Sequence, residues 1–205
     1  MECPAKLFYT GKSETYKNNK GENEFLESLA EGGFQVGKMA TLLFPNGIEI
    51  QARKNQEAIE ETNQLLSINE DIVLFEPAFA FEGLLVRVDI FVRMGSSIEL
   101  IEVKAKSYDS ADPDFFGNRT PIKSGILPYV EDIAFQKHVV SRTFPKADVK
   151  AFFMMPDKAV AAKTDGLNQS FWIRNINGLK TVATTSLAGE QVKANFSMLK
   201  KIPVD

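Results

Sequence analysis

Three apolar runs in the middle of the chain are separated by short polar breaks, a pattern typical of an antiparallel sheet. Asp71–Phe81, Leu84–Met94 and Ser97–Lys106 are rich in Val, Ile, Leu and Phe. The breaks between them, Glu82-Gly83 and Gly95-Ser96, have the composition of tight hairpin turns. The pattern therefore predicts three consecutive strands joined by two hairpins.

Helical spacing of apolar residues flanks these strands. Gly32-Gly33 is expected to end the first of the predicted helices, which cover Glu24–Ala30, Asn55–Ile68 and Tyr129–Phe144. Shorter strands are predicted at Ile48–Gln51, Val149–Met155, Phe171–Ile173 and Thr181–Ala183. The order of helix, three strands, helix and strand predicts an α/β domain over residues 1–157, with a mixed sheet flanked by helices. Residues 158–205 are expected to form a C-terminal extension packed on or following this core.

Composition and charge narrow the class of protein. A hydrophobic content of 44% and a charged content of 25% are ordinary for a globular domain, and no apolar run is long enough to span a membrane. Cys3 is the only cysteine, which excludes an intrachain disulfide. The N-terminal sequence lacks the apolar centre of a signal peptide, so we expect a cytoplasmic protein without a membrane partner. A net charge of −3 is compatible with a protein that binds metal ions through carboxylates, because such carboxylates make the bare site acidic.

Charged residues in the central strands carry the candidate chemistry. Asp89 lies between Val88 and Ile90, where a charge is costly without a partner or a metal ion. Glu102 and Lys104 share one face of the next strand, because side chains alternate along a strand. Two carboxylates on neighbouring strands can hold Mg²⁺ or Mn²⁺, and the lysine can stabilise charge that develops on a phosphate. The spacing D-x12-E-x-K therefore indicates a nuclease with metal ligands Asp89 and Glu102 and catalytic Lys104.

Simpler interpretations of the same residues stay open. Glu102 and Lys104 could be a solvated pair, with Asp89 in a salt bridge to Arg87 or Arg93. The chain also holds Asp148-Val-Lys150 at the start of a predicted strand, with no acidic partner on a paired strand before it. The acidic strand before Glu102 and the helix after it favour the metal site over a surface pair.

With these segments placed, the chain resembles the RecB-like branch of the PD-(D/E)XK nuclease superfamily. VRVDIF matches its aspartate motif, LIEVKAKS its E-x-K motif, and DIAFQKHVV the helix that carries a glutamine. Over about residues 1–155 the chain is still more similar to the N-terminal nuclease-like domain of a bacterial family of unknown function. The resemblance implies a restriction-endonuclease-like core, a Mg²⁺ or Mn²⁺ cofactor, and DNA rather than RNA as substrate. It also implies a catalytic role for Gln136 and a further metal ligand at Glu76.

The chain departs from that branch at three positions. Val140 stands where many members have a tyrosine, four residues after the glutamine. The single histidine, His138, lies on the predicted helix Tyr129–Phe144 and not on the first helix, where many members have a metal ligand. Cys3 alone cannot hold the iron–sulfur cluster that some relatives bind through four cysteines, so no such cluster is expected.

The long polar segment Tyr108–Pro128 joins the lysine strand to the glutamine helix. Aromatic and basic residues in it, Phe115, Phe116, Arg119 and Lys123, are predicted to contact nucleic acid, because aromatic rings beside cations can stack bases. Two alternatives to a nuclease remain from the sequence. One is a non-catalytic nucleic-acid-binding domain on this fold, and the other is a protein-interaction domain.

Overall fold

The computed structural model describes residues 9, 12, 14–16, 24–111, 122–176 and 179–205, and leaves out the side chains of residues 24–30 and 179. These residues form a mixed α/β structure whose four α-helices are α1 Glu24–Leu42, α2 Asn55–Ile68, α3 Leu127–Thr143 and α4 Ala188–Ala194. The strands of the first half are β1 Ile48–Glu49, β2 Ile72–Phe75, β3 Ala78–Phe81, β4 Leu84–Arg87 and β5 Ile90–Met94. The remaining strands are β6 Ser97–Val103, β7 Asp148–Pro156, β8 Phe171–Ile176, β9 Leu179–Thr184 and β10 Leu199–Pro203. Within this part of the chain, no helix is long and apolar enough to cross a membrane.

A six-stranded mixed sheet organises the molecule in the order β1-β2-β5-β6-β7-β10. Strands β2, β5 and β6 run antiparallel as a meander, as the three apolar runs predicted. The chain then passes through α3 and returns as β7, which pairs in parallel with β6. Two short ribbons, β3-β4 and β8-β9, stand outside the main sheet.

Both faces of the central strands are buried, which explains why their sequences are almost continuously apolar. Phe91 and Leu100 lie in the core between the sheet and helices α2 and α3. Their neighbours Ile90 and Ile101 point to the opposite face, into the core that α1, α4 and the β8-β9 ribbon complete. The sheet therefore separates a layer containing α3 from a layer containing α1.

The structure corrects two predicted boundaries in the first half of the chain. Helix α1 continues through Gly32-Gly33 up to Leu42, whereas a break was expected at the glycines. The predicted strands Asp71–Phe81 and Leu84–Met94 each bend in the middle, so that β2 and β5 join the main sheet while β3 and β4 form the separate ribbon. Hydrophobicity continues across both bends because the residues on either side stay buried.

Residues 158–205 add to both the main sheet and the α1 layer. Strand β10 pairs with β7 over five residues, and the backbone N–H of Asp157 donates to the carbonyl of Met198 at 2.8 Å. Asn195, which is fully buried, accepts from the N–H of Lys163 at 2.6 Å and donates to Thr164 Oγ1 at 2.7 Å. These bonds tie the segment after β7 to the turn that leads into β10.

Candidate metal centre

The chain bends just after β2 and just before β5, and these bends place Glu76 and Asp89 opposite each other. Pairing continues through the bend, because the N–H of Glu76 donates to the carbonyl of Asp89 at 3.1 Å and that of Val88 donates to Pro77 at 3.1 Å. Glu76 has φ +56°, a left-handed conformation that is costly for a residue with a side chain. Arg87 supports this turn by donating from Nη2 to the carbonyl of Glu76 at 2.9 Å. The site thus begins where the backbone is strained, as is common near functional residues.

Strand register brings Glu102 beside Asp89. Ile90 pairs with Ile101 in the antiparallel β5-β6 ladder, so the next positions, 89 and 102, lie across from each other. Asp89 Oδ2 accepts a hydrogen bond from the N–H of Val103 at 2.7 Å. Glu76, Asp89 and Glu102 therefore form a row across three neighbouring strands.

Glu102 is buried and accepts from two different elements. Its Oε2 accepts from Gln136 Nε2 on α3 at 2.8 Å, and its Oε1 accepts from Lys104 Nζ at 2.5 Å. Glu102 is 6% exposed and Gln136 5% exposed, so this cluster is largely screened from solvent. Gln136 Oε1 is buried and has no hydrogen-bond partner among the described residues. A buried acceptor left without a donor costs about 1–3 kcal/mol, which favours a further donor such as water at this point.

Lys104 is held by three groups from two elements. Besides Glu102, its ammonium lies 3.4 Å from Asp132 Oδ2 and 5.1 Å from the centre of the Tyr129 ring, both on α3. Burial alone would lower the pKa of Lys104, but the charges of Glu102, Asp132 and Asp89, with the hydrogen bond to Glu102, together raise it. Lys104 therefore carries its positive charge into the cluster.

The surroundings of Asp89 disfavour the charged form of its carboxyl. Burial, followed by the nearby charge of Glu102, raises the pKa of Asp89 from its ordinary value of 3.8 to about 7, against the opposing effect of the Val103 N–H. Burial also raises the pKa of Glu76, with the charge of Arg87 opposing and that of Glu102 adding to the shift. A divalent cation between these carboxylates would relieve their mutual repulsion.

The donor set fits a hard divalent cation at Asp89 and Glu102. Mg²⁺ is usually bound through one or two carboxylates and several waters, so two carboxylates on adjoining strands satisfy its protein requirement. Among the described residues, no group of three or more His, Cys, Asp or Glu side chains is arranged to hold a metal ion. Glu76 itself is half exposed and its Oε2 lies 3.8 Å from Arg87 Nε, so its role as a third ligand stays a prediction.

The two arginines that could have neutralised Asp89 are engaged elsewhere. Arg87 faces Glu76, and Arg93 donates to the carbonyls of Leu66 and Glu70 at the end of α2, at 2.8 and 3.0 Å. The Asp148-Val-Lys150 segment gives a contrast, because its two charged side chains form an ion pair at 3.2 Å and are both more than half exposed. Similar spacing thus yields a surface pair at the start of β7 and a buried cluster at the end of β6.

The structure describes only one of the four predicted nucleic-acid contacts. Phe115, Phe116 and Arg119 lie outside the described part of the chain. Lys123 is exposed, and its carbonyl accepts from the N–H groups of Ile126 and Leu127 at 2.8 and 3.0 Å where α3 begins. The role of these four residues stays a prediction.

Sequence reasoning missed Tyr129 and Asp132. Both share one face of α3 with Gln136, at spacings of three and four residues along a helix. Once Gln136 is taken as a site residue, the helical spacing in the sequence predicts that Tyr129 and Asp132 lie beside the same site. His138 is exposed on this helix and Val140 is buried in the core, so neither substitutes for the missing tyrosine or histidine.

Comparisons of the chain with protein-family models, with curated proteins and with solved structures found no match. The assignment of a function therefore depends on the geometry of this cluster and on the motifs in the sequence.

Proposed function

We propose that this chain is a divalent-metal-dependent nuclease that hydrolyses phosphodiester bonds, with DNA favoured over RNA. The observation that carries the proposal is the pairing of Asp89 with Glu102 across β5 and β6, with Lys104 Nζ 2.5 Å from Glu102. The meander, the crossover through α3 and the parallel β7 are compatible with the restriction-endonuclease-like core that the resemblance implies. A cytoplasmic location remains part of the same proposal.

The residues divide the work of phosphodiester hydrolysis. When bound, Mg²⁺ or Mn²⁺ supplies a water of lowered pKa and positive charge for the phosphate oxygens. Asp89 and Glu102 bind the cation, and Gln136 holds the Glu102 carboxylate in place from α3. Lys104 presents a positive charge to the phosphate, while Asp132 and Tyr129 keep its side chain at the site.

One observation favours the alternative of a non-catalytic nucleic-acid-binding or protein-interaction domain. Both Glu102 oxygens already accept hydrogen bonds from protein donors, Lys104 and Gln136. In a purely structural network of this kind the ion pair would persist, and added metal would leave the protein unchanged. The test must therefore separate metal binding from cleavage.

Calorimetric titration with Mn²⁺ and cleavage of single- and double-stranded DNA and RNA test the proposal together. Wild type should bind the metal and cut at least one substrate, and Glu102→Ala should lose both properties. Lys150→Ala is the matched control, because its ion pair with Asp148 is exposed on a strand of the same sheet. Equal metal binding by wild type and Glu102→Ala would contradict the metal assignment, and binding without cleavage would favour the non-catalytic alternative.

A further inference from the structure

The only tryptophan of the chain lies on an exposed face of the β8-β9 ribbon. Trp172 is 37% exposed, although tryptophan has the largest apolar side chain and is usually well buried. The ribbon is an antiparallel pair that projects from the α1 layer, on the side of the sheet opposite α3. It is therefore separate from the carboxylate cluster described above.

The two faces of this ribbon differ in their surroundings. On the inner face, Phe171 and Val182 belong to the core that α1 covers. On the outer face, alternation along β8 places Trp172, Arg174 and Ile176 side by side, and all three are exposed. The outer face is thus an extended strip with an aromatic ring, a cation and an aliphatic side chain in sequence.

The charge and geometry of this strip suit an anionic partner with flat, apolar groups. The Arg174 guanidinium carbon lies 5.5 Å from the centre of the Trp172 ring. Between Gly166 and Gly189 the sequence contains no Asp or Glu, within a chain of net charge −3. The other cation of the ribbon, Lys180, lies 3.4 Å from Glu31 of α1, which leaves Arg174 as the cation on the outer face.

We propose that the outer face of the β8-β9 ribbon binds a single-stranded polynucleotide, with one base stacked on Trp172 and Arg174 contacting a phosphate. Exposed bases stack on aromatic rings without regard to sequence, and a guanidinium beside the ring adds electrostatic attraction. A duplex hides its bases, so the chemistry selects single strands. This inference takes from the proposed function only the class of substrate, and it adds a second contact outside the metal centre.

The fluorescence of Trp172 tests the proposal directly, because no other tryptophan contributes to the signal. Single-stranded DNA, single-stranded RNA and duplex DNA would each be titrated into the full chain in chelator. Either single strand should quench the emission to saturation, and the stronger of the two identifies the polynucleotide. Unchanged emission at high concentrations of both single strands would overturn the proposal and leave the face to a protein partner.

Substitutions separate stacking from general attraction in an anisotropy assay with a labelled oligonucleotide. Trp172→Ala should weaken binding by about tenfold or more, whereas Trp172→Phe keeps a ring and should retain most of the affinity. Arg174→Gln should reduce the slope of log affinity against log salt by about 0.7. Phe196→Ala is the matched control, since Phe196 is 61% exposed, has Lys163 Nζ 5.8 Å from its ring centre, and belongs to neither strand of the ribbon. Equal losses in Phe196→Ala and Trp172→Ala would overturn the assignment.

The metal-site variant Glu102→Ala keeps this inference distinguishable from the proposed function. It should lose cleavage but retain full quenching of Trp172 by single strands. If single strands quench Trp172 of the wild-type protein but no added metal gives cleavage, the result would support the ribbon site and count against the nuclease. Cleavage by wild type without quenching would support the nuclease and overturn the ribbon site.

Discussion

Glu102 illustrates how one buried carboxylate links three elements of the site. It stands on β6, accepts from Gln136 on α3, and lies across from Asp89 at the start of β5. Each carboxylate oxygen has two lone pairs, so Glu102 Oε1 can bind a cation while it still accepts from Lys104. Asp132, 3.4 Å from Lys104, provides a second anion that keeps the ammonium at the site.

Replacing Lys104 with alanine should reduce cleavage while sparing metal affinity. A positioned charge that acts on the transition state contributes about 10²- to 10³-fold in rate, whereas the carboxylates alone hold the cation. Cleavage rates and Mn²⁺ calorimetry on the same samples measure both quantities. Lys150→Ala should match wild type in both assays, and near-normal turnover by Lys104→Ala would contradict the assigned role.

Asp89 makes the stability of the metal-free protein depend on pH. Its pKa rises from 3.8 to about 7 on folding, so the carboxyl holds its proton more tightly in the folded chain. The resulting stabilisation is fully present below pH 3.8 and is lost as the pH rises toward 7. In chelator, Asp89→Asn should therefore be more stable than wild type at pH 8, by up to about 4 kcal/mol.

Urea unfolding of both proteins in chelator measures this difference between about pH 5 and 8, the range in which proteins are generally most stable. Wild type should lose stability across the interval, and Asp89→Asn should change much less. Added Mn²⁺ should restore wild type but not the variant. A wild-type protein whose stability is the same at both ends of the interval would contradict the raised pKa.

At the scale of single elements, the sequence predicted α2 fully but the two bent strands only in outline. Helix α2 has a regular apolar stripe, and its predicted bounds Asn55–Ile68 are those observed. The bends fall at Glu76-Pro77 and Asp89, which are short interruptions of the apolar runs, and buried residues such as Phe75 and Ala78 on either side make each run look like one strand. A bend of this kind depends on the left-handed Glu76 and on tertiary contacts such as those of Arg87, which local spacing does not encode.

Helix α1 shows tertiary packing outweighing local propensity. A glycine inside a helix costs about 1 kcal/mol relative to alanine, yet α1 continues through Gly32, Gly33 and Gly37. Contacts with α4, β8 and β9 compensate for this cost. They come from residues more than 120 positions later in the chain, which explains why the break was predicted wrongly.

Two glycine substitutions should change stability in opposite directions. A methyl group at Gly37 meets no atom within 4 Å, so Gly37→Ala should stabilise the protein by roughly 0.5–1 kcal/mol. A methyl group at Gly47 would lie 2.1 Å from the ring of the buried Phe75, so Gly47→Ala should cost about 1–3 kcal/mol. Denaturant unfolding of the two variants measures both effects, and a stabilising Gly47→Ala would contradict the close approach of Gly47 to Phe75.

At the scale of the whole molecule, residues 158–205 complete the fold around β7. Strand β10 was missed in the sequence because Lys200 and Lys201 within it interrupt the apolar pattern, while its pairing partner β7 lies more than 40 residues earlier. Val192 of α4 is fully buried in the core shared with α1. The extension therefore contributes to the sheet as well as to the layer that covers it.

A chain truncated after Asp157 should fail to fold cooperatively. Truncation would remove β10 from the edge of β7 and uncover Met154, which packs with Leu167 and Leu199. Circular dichroism during heating, together with size-exclusion chromatography, would report a missing transition and an expanded or aggregated chain. Adding residues 158–205 as a separate chain should restore part of the transition, and a truncated protein that melts like the full chain would contradict this prediction.

The two outermost strands of the main sheet also limit how the protein can associate with itself. An exposed strand edge is a template for pairing with another chain, and short edges, lysines and prolines all oppose such pairing. Strand β1 has only two residues, and β10 carries Lys200, Lys201 and Pro203. Neither of these edge strands is both long and apolar, so the sheet resists the open-ended addition of strands that leads to fibrils.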